Sequence, residues 1–253
     1  MRFAMLGSGS KGNATLVVAN GTRVLVDCGF AVKEMQARAA KLDFDLACLD
    51  GILVTHEHSD HLGGVARLAR AYNLPVYLTR GTHAVWRDRE VADIRFINPH
   101  ENFAVGALQV QPIAVPHDAR EPCQFAFSHG GHKLGVLSDL GHITPYIRAA
   151  LADADALLLE TNHDVELLAN GPYPYSLKQR VGGDLGHLSN AQSASLLSSA
   201  QRSRLQHLVL THLSEQNNTP ELARAAICAA LEDDPAWCLC AHQQDGLSWR
   251  ELA

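Results

Sequence analysis

The stretch Gly51–His61, GILVTHEHSDH, runs a short apolar segment straight into His56, His58, Asp60 and His61. Ile52–Thr55 reads as a buried strand, and the polar residues after it as a loop. A helix could not bring His56 and His58 together, because residues two apart face different ways, whereas loops at strand ends gather functional groups. The string is also not the helical H-E-x-x-H of zinc peptidases, since a strand precedes it and position 60 is Asp. Imidazoles and carboxylates are the usual ligands of zinc and related divalent cations. One loop leaves such a cation unsaturated, so further ligands are expected from distant strand ends. AVPHDA places His117 there, GVLSDLG places Asp139, and LVLTHLS places His212. No cysteine belongs to the set, which makes the site a nitrogen and oxygen site suited to zinc or manganese.

Working outward, strands are expected near 2–6, 14–19 and 22–27, joined in part by the hairpin dipeptide Asn20-Gly21. That hairpin disposes of another reading. Gly7, Gly9 and Gly12 spell G-x-G-x-x-G, but a dinucleotide loop must open a helix, and here strands follow. Helical patterns are expected near 31–42, 62–72, 82–89 and from about 144, 189 and 220. Strands are expected in PVYLT, IRFIN, LQVQPIAV, QFAFSH, KLGVLSD, ADALLLET, HLVLT, AWCLCA and LSWREL. Strand-helix alternation after initial hairpins predicts two mixed β-sheets flanked by helices, in one domain over 1–253. A coarse echo, ILVTHEHSDH against LVLTHLSEQNN, fits two related halves that each send ligands into one cleft.

Composition bounds the partners. The 253 residues are 47% hydrophobic and 19% charged with a formal net charge of -6, so the chain has no general attraction for polyanions. Six cysteines without framework spacing read as a reduced, cytoplasmic protein. No apolar run is long enough to span a membrane, and none is expected as a partner.

The ordered set His-x-His-x-Asp-His, then His, Asp and His, resembles the metallo-β-lactamase fold of binuclear metallohydrolases. The resemblance covers nearly the whole chain and implies an α/β (α+β) αββα sandwich with two divalent metal ions. It implies that His56, His58 and His117 hold one ion, that Asp60, His61 and His212 hold the other, and that Asp139 bridges them. Two such cations would outweigh the two aspartates and make the cleft locally positive on an acidic protein, suiting it to a phosphodiester.

GDLGHLSNAQSA resembles the Gly-His-Ser loop of phosphodiesterase members, which implies that His187 protonates a leaving oxygen, making it catalytic beside Asp60 and Asp139. SGSKGNAT, THEHSDH, NHDVELLANGPYPYSLKQRV, GHLSN and HLSEQNNTPELA together resemble the YycJ (WalJ) type of the superfamily. That resemblance implies a 5′ to 3′ exonuclease on double-stranded DNA with a part in repair. Around the metals, Ser8, Ser10, Lys11 and Asn13 are expected to form an anion-binding nest for a terminal phosphate. His163, Lys178 and Arg180, with Asn217 and Asn218 before a helix at Pro220, are expected on the substrate side. Two alternatives stand beside the nuclease: a small-molecule hydrolase of the same fold (cyclic phosphodiesterase, thioesterase or lactonase), and a non-catalytic module that binds a partner or a nucleic-acid end.

Overall fold

The computed structural model describes residues 1–88, 90–197, 199–231 and 237–253. Its strands, in chain order, are β1 Arg2–Gly7, β2 Ala14–Ala19, β3 Thr22–Val26, β4 Gly51–Leu53, β5 Val76–Thr79, β6 Ile94–Ile97, β7 Phe103–Val105, β8 Leu108–Ala114, β9 Cys123–His129, β10 His132–Leu137, β11 Ala156–Glu160, β12 His207–Thr211, β13 Cys238–Cys240 and β14 Leu247–Glu251. They form two seven-stranded sheets, ordered β14-β1-β2-β3-β4-β5-β6 and β13-β12-β11-β10-β9-β8-β7. In each, an antiparallel block (β1, β2, β3; β8, β9, β10) passes into a parallel one (β4, β5, β6; β11, β12, β13).

Alternation along the strands sorts side chains between layers. Val17, Val24 and Val26 of the first sheet meet Phe125, Phe127, Val136, Leu158 and Val209 of the second in a shared inner core. The opposite face of the first sheet, Leu16, Leu25 and Ile52, packs on the helices Val32–Ala40 and Val65–Tyr72 through Met35 and Leu68. The opposite face of the second, Leu157, Leu159 and Leu208, packs on Ile147, Leu151, Leu196 and Ile227. Both faces of the central strands are therefore buried, which is why they read as unbroken apolar runs. The result is the expected αββα sandwich. Asn20 and Gly21 both take positive φ, 44° and 83°, and Ala19 pairs with Thr22, as a two-residue hairpin requires.

Three details differ from the sequence reading. The metal string is half loop and half helix: His58 is the N-cap of a single turn, Ser59–Leu62. Short helices at Val165–Asn170 and Tyr175–Val181 occupy a stretch without apolar periodicity. The echo also pairs the wrong strands. By position in its sheet β4 corresponds to β11, whose exit reads Thr161-Asn162-His163, and β12 corresponds to β5. Arg89, at the end of one expected helix, and Ala236, at the start of the last expected strand pair, lie outside the described residues.

Parallel strands bring their carboxyl ends to one edge, where open α/β sheets place their sites. Asp27 leaves β3, Asp139 follows β10 and His212 leaves β12, with φ of 60°, 55° and 53°. Left-handed backbone in non-glycine residues is uncommon and clusters at functional sites. Gly29 locks the β3 exit against the metal helix: a Cβ there would lie 2.0 Å from the Asp60 carbonyl oxygen. Gly29→Ala is expected to lower stability by about 1–3 kcal/mol, as overpacking does, and to weaken metal uptake at the same time. Thermal melts with and without added zinc measure both.

Candidate metal centre and cleft

His56, His58 and His117 present ligand atoms within 4.8 Å of one another, as do Asp60, His61 and His212; the set His56, His61 and Asp139 joins the two groups. Nδ1 of His58 faces Nε2 of His117 at 3.3 Å. Nε2 of His61 lies 2.9 Å from Asp139 Oδ2 and 3.4 Å from Asp60 Oδ2. Nε2 of His212 lies 3.5 Å from Asp60 and 3.6 Å from Asp139. His56, His61, His117, Asp139 and His212 are all buried. The Nε2 atoms of His56 and His212 are sealed from solvent with no hydrogen-bond partner. An orphaned buried nitrogen costs about 1–3 kcal/mol. Two of them turned into one carboxylate-lined space fit divalent cations, which would supply the missing partner.

The other ring nitrogens are fixed from behind. Asp27 Oδ2 holds His61 Nδ1 at 2.7 Å, and both Asp27 oxygens accept from Thr55, from its N-H and its hydroxyl, at 2.8 Å each. The Thr55 hydroxyl also meets His56 Nδ1 at 3.0 Å. Gly186 carbonyl lies 3.1 Å from His117 Nδ1. Each contact turns the opposite nitrogen toward the cluster, the usual way an outer partner orients a ligating imidazole. Asp27 escaped the sequence reading, although its position at a strand end, VLVDCG, parallels that of Asp139 in GVLSD.

Glu160, the last residue of β11, carries the other half of the site. Its fully buried carboxylate accepts from the backbone of Leu140 and Leu188 at 3.1 Å each and faces His187 Nδ1 at 2.8 Å. Burial alone would raise its pKa; attraction to His187 and hydrogen bonds from His187 and His212 outweigh burial and hold it at about 2. Burial likewise opposes charge on His187, but Glu160 and Asp139 prevail and raise its pKa. His212 follows the same logic up to about 10, burial being overcome by Asp139, Asp60 and Glu160. His56 goes the other way: burial and its neighbour His61 push its pKa well down.

The cleft over these residues measures about 380 Å³ and has Ser10, Tyr173, Leu177, Arg180, Val181 and His187 in its lining. Of the residues expected on the substrate side, Ser10 and Arg180 line it. The nest does not form: the backbone N-H groups of Ser8, Gly9, Lys11, Gly12 and Asn13 donate to His242, Asn13, Gln243, Gly9 and Asp60 within the protein. The Lys11 ammonium pairs with Glu215 at the surface. Ser8 and Asn13 act as braces instead, Ser8 Oγ accepting from His212 N-H at 2.8 Å and the Asn13 amide donating to the Gly9 carbonyl at 3.1 Å and to Asp60 Oδ2 at 3.3 Å. The Asn218 side chain bonds Thr161, Asn190 and Thr219, and Asn217 is buried against Ser214. His163 and Lys178 line a neighbouring cavity, with the Lys178 ammonium on the Ala169 carbonyl. Asp118, unforeseen, pairs with Arg180 and stands 3.7 Å from His58 Nε2.

Residues 22–213 match the family model of the β-lactamase superfamily domain. The chain belongs to the β-lactamase superfamily. Within that superfamily it is 36% identical over 240 residues to the exodeoxyribonuclease YycJ of Bacillus anthracis, covering 92% of this chain and 90% of that one. It is 34% identical over 228 residues to the exodeoxyribonuclease WalJ of Streptococcus pneumoniae, covering 88% and 85%. Its fold matches the metallo-β-lactamase fold protein YhfI of Bacillus subtilis with a TM-score of 0.75 over 99% of both chains, at 15% identity. This superfamily member is a metal-dependent hydrolase. Asp27→Ala, which frees His61 to rotate, is expected to cut divalent-metal affinity roughly 10- to 100-fold, the usual effect of losing an outer partner; zinc titration against a chromogenic chelator reads it.

Proposed function

We propose that the protein removes nucleotides from a 5′ end of double-stranded DNA by hydrolysing phosphodiester bonds, using two divalent cations, Zn2+ or Mn2+. His56, His58 and His117 would hold one, Asp60, His61 and His212 the other, and Asp139 would bridge them; the overlapping ligand groups around Asp139 support that division. Bound there, the cations supply Lewis acidity that activates water and neutralises charge on the phosphoryl oxygens.

The observation that carries the reading is the His187–Glu160 pair. Nδ1 is occupied by Glu160, so Nε2 is the atom that can give a proton to cleft contents. A protonated imidazole beside a metal centre suits an alkoxide leaving group, such as a sugar oxygen. Arg180 and Ser10 present a guanidinium and a hydroxyl from the facing wall, the donors a phosphodiester needs. The relatives named as exodeoxyribonucleases support DNA as the polymer. The inner core shared by both sheets supports one domain over 1–253. None of the six cysteines is in a disulfide, which fits a cytoplasmic protein, and no helix among the described residues is long and apolar enough to cross a membrane.

Duplexes labelled at either end, with and without a 5′-phosphate, test the proposal on the metal-loaded protein. Label should leave the 5′ end first, and a chelator should abolish the reaction until zinc or manganese returns. Asp60→Ala should remove activity, and His187→Ala should lower kcat by about 10²–10⁴, the range of general acid catalysis. Fast turnover of small esters with intact duplex would instead establish the small-molecule hydrolase, which the acidic surface favours.

A further inference from the structure

The wall of the cleft opposite the metal ligands has a composition that hydrolysis of a bare phosphodiester does not need. Tyr173, Leu177, Arg180 and Val181 line it at intervals of four, three and one. The last three lie on the helix Tyr175–Val181, and Tyr173 precedes its N-cap Pro174. Tyr173 is half-buried, and the helix contributes no fully buried side chain. This element is thus not a piece of core that happens to touch the site. An aromatic ring, an isobutyl group and a guanidinium on one wall match the two halves of a nucleotide, a flat base and a charged phosphate.

Resting on the phosphodiesterase reading above, we propose that residues 173–181 form a nucleotide-reading wall. Tyr173, backed by Leu177, stacks the base of the nucleotide whose phosphate Arg180 receives, and the strand therefore enters the cleft unpaired. Stacking on an aromatic ring is tolerant of sequence, because every base has a π face. The cleft, about 380 Å³, is of small-ligand size. On this proposal the last pair of a duplex opens before its phosphodiester reaches His187, which is easiest where the base is already unpaired. Arg180 meets the phosphate by exchanging its partner Asp118, a carboxylate that lines the same cleft. Tyr175 is 78% exposed on the same helix but does not line the cleft, and it provides a built-in comparison.

The test uses the metal-loaded full chain. Binding is read with a fluorescent phosphorothioate oligonucleotide and with its counterpart carrying abasic sites at the 5′ end. Wild type should bind the base-bearing strand roughly tenfold tighter than the abasic one, the scale of one stacked base. Tyr173→Ala should lose that difference, Tyr173→Trp should keep it, and Tyr175→Ala should leave it in place; circular dichroism confirms that each variant is folded. In trimming assays, a short unpaired 5′ tail should speed wild type over a blunt duplex, and Tyr173→Ala should reduce the advantage. Equal affinity of wild type for abasic and base-bearing strands, or an undiminished difference in Tyr173→Ala, overturns the wall. Release of 5′ label from the duplex by wild type is scored separately: its absence overturns the phosphodiesterase reading, whereas its presence with indifferent stacking overturns only the wall.

Discussion

His61 is 1% exposed and lies between two carboxylates, Asp27 at 2.7 Å and Asp139 at 2.9 Å. Asp27 closes a strand of the first sheet and Asp139 follows a strand of the second, so this line of three side chains is a polar tie between the two halves of the sandwich. Two carboxylates in a dry cleft repel each other and pay for desolvation unless positive charge stands between them. The imidazole meets that demand as a cation, and a metal ion would meet it when the ring serves as a ligand. Much of the surrounding architecture follows from keeping this ring in place. Thr55 anchors Asp27, Asn13 donates to Asp60, and Ser8 holds the backbone of His212.

The backbone is bent to serve the same end. Asp27, Asp139 and His212 are left-handed at the strand ends, where the chain must turn sharply and still aim a side chain into the cleft. Such conformations persist only when the surroundings over-determine them. Here the sheets do so, since Asp27 donates its N-H to the Leu53 carbonyl and His212 donates to Ser8. The close approach of Gly29 to Asp60 and of Gly64 to Phe30, each leaving no room for a Cβ, completes the packing beneath the metal helix. The candidate ligands, the hydrogen bonds and the strained turns are one interdependent unit.

Charge is divided across the cleft. One wall gathers imidazoles and aspartates under deep burial; the other, around Arg180 and Tyr173, is more exposed and carries the groups suited to a polymer's phosphate and base. His187 stands where the walls meet, tied through Glu160 to the floor and facing the opening.

The metal string and the strands were legible in the sequence because both are local. An apolar run before HEHSDH marks a strand end, Asn20-Gly21 marks a hairpin, and imidazoles two and three residues apart have little else to do together. His117, Asp139 and His212 could be picked out because each also follows an apolar run. Which donors were free was not legible. Glycine, serine and lysine in SGSKGN look like an anion nest in one dimension, yet Gln243, His242 and Asp60, brought in by the fold, take up those N-H groups. Asn217 and Asn218 look like surface amides and are instead internal braces. Asp27 follows an apolar run as Asp139 does, but its role depends on Thr55 and His61, which the fold brings to it from the segment after β4. Residue type and spacing determine which groups can bind a cation. Tertiary structure decides which remain unpaired, because a hydrogen-bonding group serves a ligand only after the protein's own partners have declined it.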